Sequence, residues 1–321
     1  MDVGQPTIDQ IRIFLAVVDE GSFNGAARKL GRAISVISYG IANLEAQFGV
    51  TLFEREGSRR PTLTEAGRAV LATARAVADD IDALMASVRG YNQGLEAELT
   101  LAVDVMYPTA WLARLCRQFQ AYFPTVDLRL HVEALGAIAG MLLEGRADIG
   151  VTGPVVIEDP VLDRMRIGEV ELLPVAAPSH PLARLQEIPP GAGRQHLQLV
   201  LTDRSSLTEG RDFSVLSART WRLGDLGAKH ALLLEGIGWG NMPLHLVEGD
   251  LVAGRLVRLP MQEAPGVAYP FNAQWRRDCP PGPARSWLIE ALKAGCGGEA
   301  AGAIVMTGFT SPQENREATS P

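Results

Sequence analysis

The sequence predicts an N-terminal winged helix-turn-helix, all-α with a small β wing, joined by one long helix to an α/β region with elements for two lobes. Three observations point to it. Two short amphipathic helices flank a glycine turn near the start, a roughly thirty-residue helical run follows a basic loop, and strands then alternate with helices. At 321 residues the chain is long enough for two domains of ordinary size. Its 47% hydrophobic and 21% charged residues can build more than one core.

Residues 7–20, TIDQIRIFLAVVDE, read as a first helix. Ile8, Ile11, Leu15 and Val18, with Phe14 beside them, recur every three or four residues and predict one buried face. Thr7 is a candidate N-cap, and Gly21 ends the helix. Ser22 caps a second helix, SFNGAARKL, that buries Phe23, Ala26, Ala27 and Leu30; Gly31 supplies the turn. A third helix runs from Ile34 or Ser35 to Phe48, with Val36, Ile37, Ile41, Leu44 and Phe48 inward. A helical hairpin of an ordinary α-helical core remains an alternative at this point. The next segment narrows the choice. Apolar Val50, Leu52 and Phe53 lead into EREGSRRP and back to Leu63, the pattern of a two-stranded wing with Arg59 and Arg60 at its tip. A solvated charged loop is the alternative.

From Thr64 to about Gln93 one long helix follows, with Ala66, Ala69, Val70, Thr73, Val77, Ile81, Leu84 and Val88 as an apolar stripe. Thirty residues span about 45 Å. Such a stripe is expected to bury against a second copy, or to pack back on its own domain. Beyond it, LTLAVD (99–104), VDLRLHV (126–132) and ADIGVTG (147–153) read as strands, with helices over 108–123 and 135–145. This βαβαβ order implies a parallel sheet. LLPVAAP (172–178), LQLVLTD (197–203) and LVRL (256–259) add strands, residues 224–236 a helix, and WLIEALKAG (287–295) a closing helix. The tail 296–321 has no periodicity and is expected to be disordered.

The net charge of −7 argues against a general nucleic-acid coat protein, although only one local surface need be basic. Residues 1–62 carry seven Lys/Arg and seven Asp/Glu, and Arg28, Lys29, Arg32, Arg55, Arg59 and Arg60 fall where a DNA-facing surface would be built. The three cysteines, Cys116, Cys279 and Cys296, are too widely spaced for a metal site or a disulfide framework, leaving core thiols or a redox sensor. No signal peptide or membrane-spanning run is evident, so a cytoplasmic protein is expected. No G-x-S-x-G, P-loop, H-E-x-x-H or dinucleotide fingerprint occurs, so no enzyme is predicted unless distant residues converge.

The segment GSFNGAARKLGRAISVISYGIANLEAQFGVTLFEREGSRRPTLTEAG (21–67) closely resembles the DNA-binding region of the LysR family. The residues that match are Gly21, Ser22, Phe23, Ala26, Ala27, Leu30, Ser38, Ile41, Leu44, Glu45, Gly49, Leu52, Phe53, Arg55, Leu63, Thr64, Ala66 and Gly67. The α/β remainder resembles that family's two-lobed effector domain, itself similar to periplasmic solute-binding proteins. The resemblance implies a DNA-binding domain over 1–64, a linker and dimerisation helix over 65–94, and an effector-binding domain over 95–295. Lobe I would comprise about 98–173 and 271–292, and lobe II about 174–270.

The resemblance also implies a transcription factor that answers a non-covalent small-molecule effector and needs no cofactor or metal. Its partners would be double-stranded promoter DNA, further copies of itself in a dimer or tetramer, and RNA polymerase, with no membrane. Ile34, Ser35, Ser38 and Tyr39 would face the major groove, with Ser38 either contacting DNA or bracing the helix. Arg28 and Arg32 would approach the backbone, and Arg59 and Arg60 the flanking minor groove or phosphates. Ala33-Ile34 stands where the family commonly has Ser-Gln. Isoleucine cannot make the bidentate adenine contact of glutamine but can touch a thymine methyl. A small-molecule sensor with impaired DNA binding is therefore the alternative function. Candidate effector contacts are Tyr107, Thr109, Thr152, Gly153, Arg204, Ser205, Ser206, Trp239 and Asn241, at strand ends, helix starts and turns of the expected cleft. Trp239 is alternatively a core residue.

Overall fold

A computed structural model describes residues 4–54, 60–92, 94–155, 157–202, 205–208 and 213–295. The chain divides into two compact units between Gly90 and Tyr91.

The first unit opens with α1 (Ile8–Glu20), α2 (Phe23–Leu30) and α3 (Ile34–Phe48). The predicted caps form. Thr7 and Gln10 make a reciprocal capping box, Gln10 N–H donating to Thr7 Oγ1 at 3.3 Å. Gly25 N–H donates to Ser22 Oγ at 3.0 Å. Gly21 and Gly31 end their helices at φ 59° and 63°, a region an L side chain avoids. The core joins Ile13, Phe14 and Val17 of α1, Ala26 and Ala27 of α2, and Ile37, Ile41 and Leu44 of α3 to Leu52, Phe53 and Ala74.

Two details differ from expectation. Ile8, Val36 and Phe48 are exposed at 43%, 44% and 38%, not inward. In α1 almost every position from Ile11 to Val18 is apolar, so periodicity admits more than one buried face. The contact with α3 selects the one centred on Ile13, because Gly40 lets Ile13 approach so closely that a Cβ there would stand 2.7 Å from its Cδ1. Val36 lies about 100° around the helix from buried Ile37 and falls outside the contact.

Among the described residues the wing is one bridge wide. A single antiparallel bridge pairs Phe53 with Leu63, flanked by bonds from Glu54 N–H to the Thr62 carbonyl (2.8 Å) and from Thr64 N–H to the Leu52 carbonyl (3.0 Å). Its tip, 55–59, lies outside the described residues. The long helix α4 (Glu65–Asn92) begins with Thr64 Oγ1 accepting Gly67 N–H at 3.0 Å. Gly67 is required there, since a Cβ would overlap the Leu52 carbonyl oxygen. Along the predicted stripe, Val70, Val77 and Ile81 are half-buried, whereas Leu84 and Val88 are exposed at 57% and 48%, with Met85 beside them at 51%.

The second unit contains β1 (Glu98–Asp104), α5 (Thr109–Tyr122), β2 (Asp127–Glu133), α6 (Ala137–Leu143) and β3 (Ile149–Thr152), the predicted βαβαβ unit. Both β2 and β3 pair parallel to β1. The strand expected from Leu172 starts ten residues earlier as β4 (Leu162–Ala176). After it come β5 (Gln198–Leu201), β6 (Thr220–Leu223), α7 (Leu226–Leu234), β7 (Gly240–Pro243), α8 (Leu244–Val252), β8 (Val257–Arg258), β9 (Val267–Arg276) and α9 (Pro283–Gly295). The elements β6, β7, α8 and β9 are not among those expected from the sequence. The main sheet is mixed, in the order β2-β1-β3-β9-β4-β7 with β8 also on β4, and β5 and β6 form a separate parallel pair.

The antiparallel β4 and β9, paired from Leu162–Arg276 to Leu172–Val267 with a register shift between Arg166 and Gly168, are the floor shared by two halves. One half holds β1–β3 with α5, α6 and α9; the other holds β5–β8 with α7 and α8. The tail 296–321 lies outside the described residues. Among the described residues no helix is long and apolar enough to cross a membrane, and no group of three or more His, Cys, Asp or Glu could hold a metal ion. Cys116 is half-buried, which pushes its thiol pKa up, and Cys279 is an exposed free thiol.

Candidate DNA-binding face and effector cleft

In the first unit, α3 buries Ile37, Gly40, Ile41 and Leu44 and leaves the opposite face to solvent. That face carries Ile34, Ser35, Ser38 and Tyr39, all exposed, at a spacing of one and four residues that sets them side by side. Tyr39 is 69% and Ile34 48% exposed. Arg28 is exposed at the end of α2, and its guanidinium makes no hydrogen bond or ion pair among the described residues. Arg32 differs: its guanidinium holds Asp9 at 2.6 Å, and that pairing lowers the Asp9 pKa. Arg32 must leave Asp9, or share it, before it can meet a phosphate. Arg60 is exposed at the edge of the wing, and Arg59 lies outside the described residues.

Glu45 links this face to the wing. Its Oε1 accepts the N–H groups of Leu52 (2.6 Å) and Phe53 (3.2 Å), tying the end of α3 to the first wing strand. The wing thus keeps its position through a side chain of α3. Phe53 adds an apolar clamp, its ring 5.6 Å from Phe14 and 5.8 Å from Phe23.

In the second unit a cavity of about 600 Å³ lies between the two halves. This is within the range of small-molecule sites. Met106, Leu135, Pro154 and Val155 form one wall. The stretch Gln198–Leu201 with Phe213, Ser214, Lys229 and Asn241 forms the other, and Leu172, Val267, Ala268 and Tyr269 make the floor. Gln198, only 2% exposed, holds the loop of this wall. Its Oε1 accepts Leu216 N–H (2.8 Å) and Ser217 N–H (3.0 Å), and its Nε2 donates to the Ser214 carbonyl (2.8 Å).

On the floor, the Tyr269 hydroxyl donates to Asp104 Oδ2 at 3.0 Å, while Met106 N–H donates to Oδ1 at 2.8 Å. Burial pushes the Asp104 carboxyl up to about 6, against these donors and the Gly153 N–H. Gly153 is small because the Tyr269 hydroxyl passes where its Cβ would be. Lys229 is 3% exposed, and burial brings its pKa down to about 8. Its Nζ donates to the Asn241 carbonyl at 2.6 Å.

Of the predicted effector contacts, Asn241 lines this cavity. Ser205 lines a neighbouring hollow, of about 860 Å³, with Thr202, Glu133 and Arg146. Tyr107 and Thr152 are buried behind the wall: Tyr107 stacks edge-on to Phe271 at 5.1 Å, and Thr152 Oγ1 donates to the Asn272 carbonyl at 3.3 Å. Gly153 adjoins the lining residues Pro154 and Val155. Thr109 is an exposed first residue of α5. Trp239 was placed at a turn, but the 240–243 segment is strand β7 and Trp239 is a core residue, 0% exposed, with Nε1 donating to the Gly193 carbonyl at 3.1 Å. Arg204 and the Ser206 side chain lie outside the described residues. Lys229, Gln198, Ser214, Phe213 and Tyr269 were missed. For Lys229 a signal existed: it falls between Leu226 and Leu233 on the apolar face of a predicted helix.

Both regions of the chain match known protein families. Residues 8–68 match the family model of the bacterial regulatory helix-turn-helix protein, lysR family. Residues 92–297 match that of the LysR substrate binding domain. The HTH-type transcriptional regulator AceR of Acinetobacter baumannii is 27% identical over 297 residues, covering 89% of this chain and 96% of that protein. The HTH-type transcriptional activator AllS of Klebsiella pneumoniae is 30% identical, covering 78% of this chain and 93% of its own. The full-length LysG structure from Corynebacterium glutamicum with bound effector Arg has the same fold, with TM-score 0.50 and 22% identity over 89% of this chain and 96% of that one.

A helix-turn-helix head followed by a two-lobed substrate-binding fold defines a DNA-binding transcription regulator that responds to a small-molecule effector, not an enzyme. The chain belongs to the LysR family, whose members bind DNA and oligomerise.

Proposed function

We propose that residues 1–64 bind operator DNA, that 65–94 join two copies, and that 95–295 bind the effector, with lobe I at about 98–173 and 271–292 and lobe II at about 174–270. The observation that carries the DNA reading is the solvent-facing side of α3. Ile34, Ser35, Ser38 and Tyr39 enter the major groove, where Ile34 packs against a thymine methyl and the hydroxyls meet base edges or phosphates. Arg28, Arg32, Arg59 and Arg60 hold the flanking backbone. The exposed Leu84, Met85 and Val88 on α4 support a dimer formed through that helix, with a tetramer as the larger assembly.

The effector occupies the 600 Å³ cavity, and closure of its walls shifts the balance between two arrangements of the assembled subunits. That shift changes how the paired heads engage the promoter and RNA polymerase. Asn241 acts on its wall, Gly153 stands next to the lining residues Pro154 and Val155, and Tyr107 and Thr152 support the wall from behind, while Thr109, Arg204, Ser205 and Ser206 are the further candidate effector contacts.

Footprinting of the intergenic DNA beside the gene across a salt series tests this. The expected result is an imperfect inverted repeat, protected steeply less as salt rises. Protection no stronger than that of unrelated DNA, both there and in a genome-wide selection of bound fragments, would reject DNA binding and leave the sensor reading.

A further inference from the structure

Lys229 is an almost fully buried lysine. It lies on the buried face of α7, 3% exposed, at the wall of the 600 Å³ cavity. Lysine is among the residues least often fully buried without a charged partner. Among the described residues, the carboxylates of the neighbouring elements are committed elsewhere. Asp225 caps α7, accepting Ala228 N–H at 2.5 Å. Asp250 takes His230 Nε2 and the Arg255 guanidinium, each at 2.6 Å. Asp104 faces the Tyr269 hydroxyl and two backbone N–H groups and does not itself line the cavity.

Among the described residues, then, the ammonium has one hydrogen bond, to the Asn241 carbonyl, and no ion pair. An ammonium has three N–H donors, so two are left for a ligand. The rest of the lining is mostly aliphatic or aromatic, with Leu135, Leu172, Leu199, Val200 and Phe213 among it. Tyr269 is the other titratable group on the wall, and it spends its proton on Asp104.

Building on the effector-cleft reading above, we infer that Lys229 is the charge anchor of the cleft and that the effector is an amphipathic monoanion, a carboxylate on an apolar body. One uncompensated cation matches one negative charge, and desolvation of both groups is offset only if they meet. The apolar wall takes the body of the ligand. A neutral ligand would leave the ammonium buried and unpaired, and a multiply charged one would find too few donors.

The test is calorimetric titration of the full-length protein with benzoate, hexanoate and indole-3-acetate, each beside its own amide. At least one acid should bind tenfold or more tightly than its amide, and K229M, which keeps an unbranched side chain one atom shorter and removes the charge, should abolish that preference. A proton readout separates anchoring from mere packing. Free Lys229 titrates near 8 and an ordinary lysine at 10.5, so at a pH between these values binding of the acid takes up a proton. K229M should take up none, and K229Q serves as a second neutral variant should K229M fold poorly.

Acid and amide binding alike, a preference retained in K229M, or no acid bound at about 10 mM would each overturn the inference. The variant A268W, which fills the cavity from its floor, separates the two readings. Equal binding of acid and amide that A268W abolishes discards the anion and keeps the cleft. Acid binding that survives A268W discards the cleft as the effector site.

Discussion

Replacing Lys229 by methionine should change stability in a pH-dependent way before any effector is added. Burial brings the Lys229 pKa from 10.5 to about 8. At about 1.4 kcal/mol per unit, the charged form is disfavoured in the folded protein by roughly 3 kcal/mol. Because the folded pKa lies below the unfolded one, the folded state holds fewer protons across that window. The penalty is therefore fully present below about 8 and is relieved as pH rises towards 10.5. K229M removes the penalty and also the bond to the Asn241 carbonyl, a charge-assisted bond of about 1.5–3 kcal/mol. Near neutral pH the variant should thus equal the parent or exceed it by on the order of 1 kcal/mol. Between neutral pH and about 10.5 the parent should gain about 3 kcal/mol relative to the variant, which is the sharper signature. Urea unfolding followed by tryptophan fluorescence suits the measurement, since all five tryptophans, Trp111, Trp221, Trp239, Trp275 and Trp287, lie in the second unit. Other titrating groups cancel in the difference between the two proteins. A difference that stays constant from neutral pH to about 10.5, or a K229M protein destabilised by several kcal/mol at neutral pH, would refute the reasoning.

Three further outcomes are expected. Glu45→Ala strands the N–H groups of Leu52 and Phe53 and should cost about 1–3 kcal/mol in unfolding of the first unit; Glu45→Gln keeps an acceptor and should recover much of it, as thermal melts of both variants would show. Arg28→Ala should weaken operator binding uniformly across sequences and reduce the slope of log affinity against log salt by about 1, whereas Arg32→Ala should change it less because Arg32 already holds Asp9; binding titrations across a salt series distinguish the two. Trp239→Ala should lower stability by about 3–5 kcal/mol in urea unfolding, as a large core residue with its indole N–H bonded to Gly193, and a Trp239 that acted only at the ligand surface would lose affinity without this cost.

Much of the first unit was legible because its signals are local. Thr7, Ser22, Gly21, Gly31 and Gly49 act on backbone groups within a few residues of themselves, so caps and helix ends follow from sequence. The βαβαβ unit was legible for a related reason, since its strands are short apolar runs bounded by helical patterns. β4 was only partly so. Its first ten residues, LDRMRIGEVE, mostly alternate half-buried and exposed positions under a heavy load of charge, and the strand exists because β9 pairs with it from about a hundred residues away. The GWGNMP segment reads as a turn by composition, yet β4 pairs with its last four residues and makes them a strand.

By itself the sequence determined the kind of protein this is: the spacing of caps, apolar positions and glycines specifies a helix-turn-helix, a wing, a long helix and an α/β region, each through interactions between near neighbours in the chain. The tertiary structure alone decided which face of α1 is buried, that Arg32 is held by Asp9, that Trp239 is core, and that Lys229 borders a cavity. Each of these depends on groups distant in sequence meeting in space. The cavity is the clearest case, since its walls come from segments between Met106 and Tyr269 that only the pairing of β4 with β9 brings around one volume.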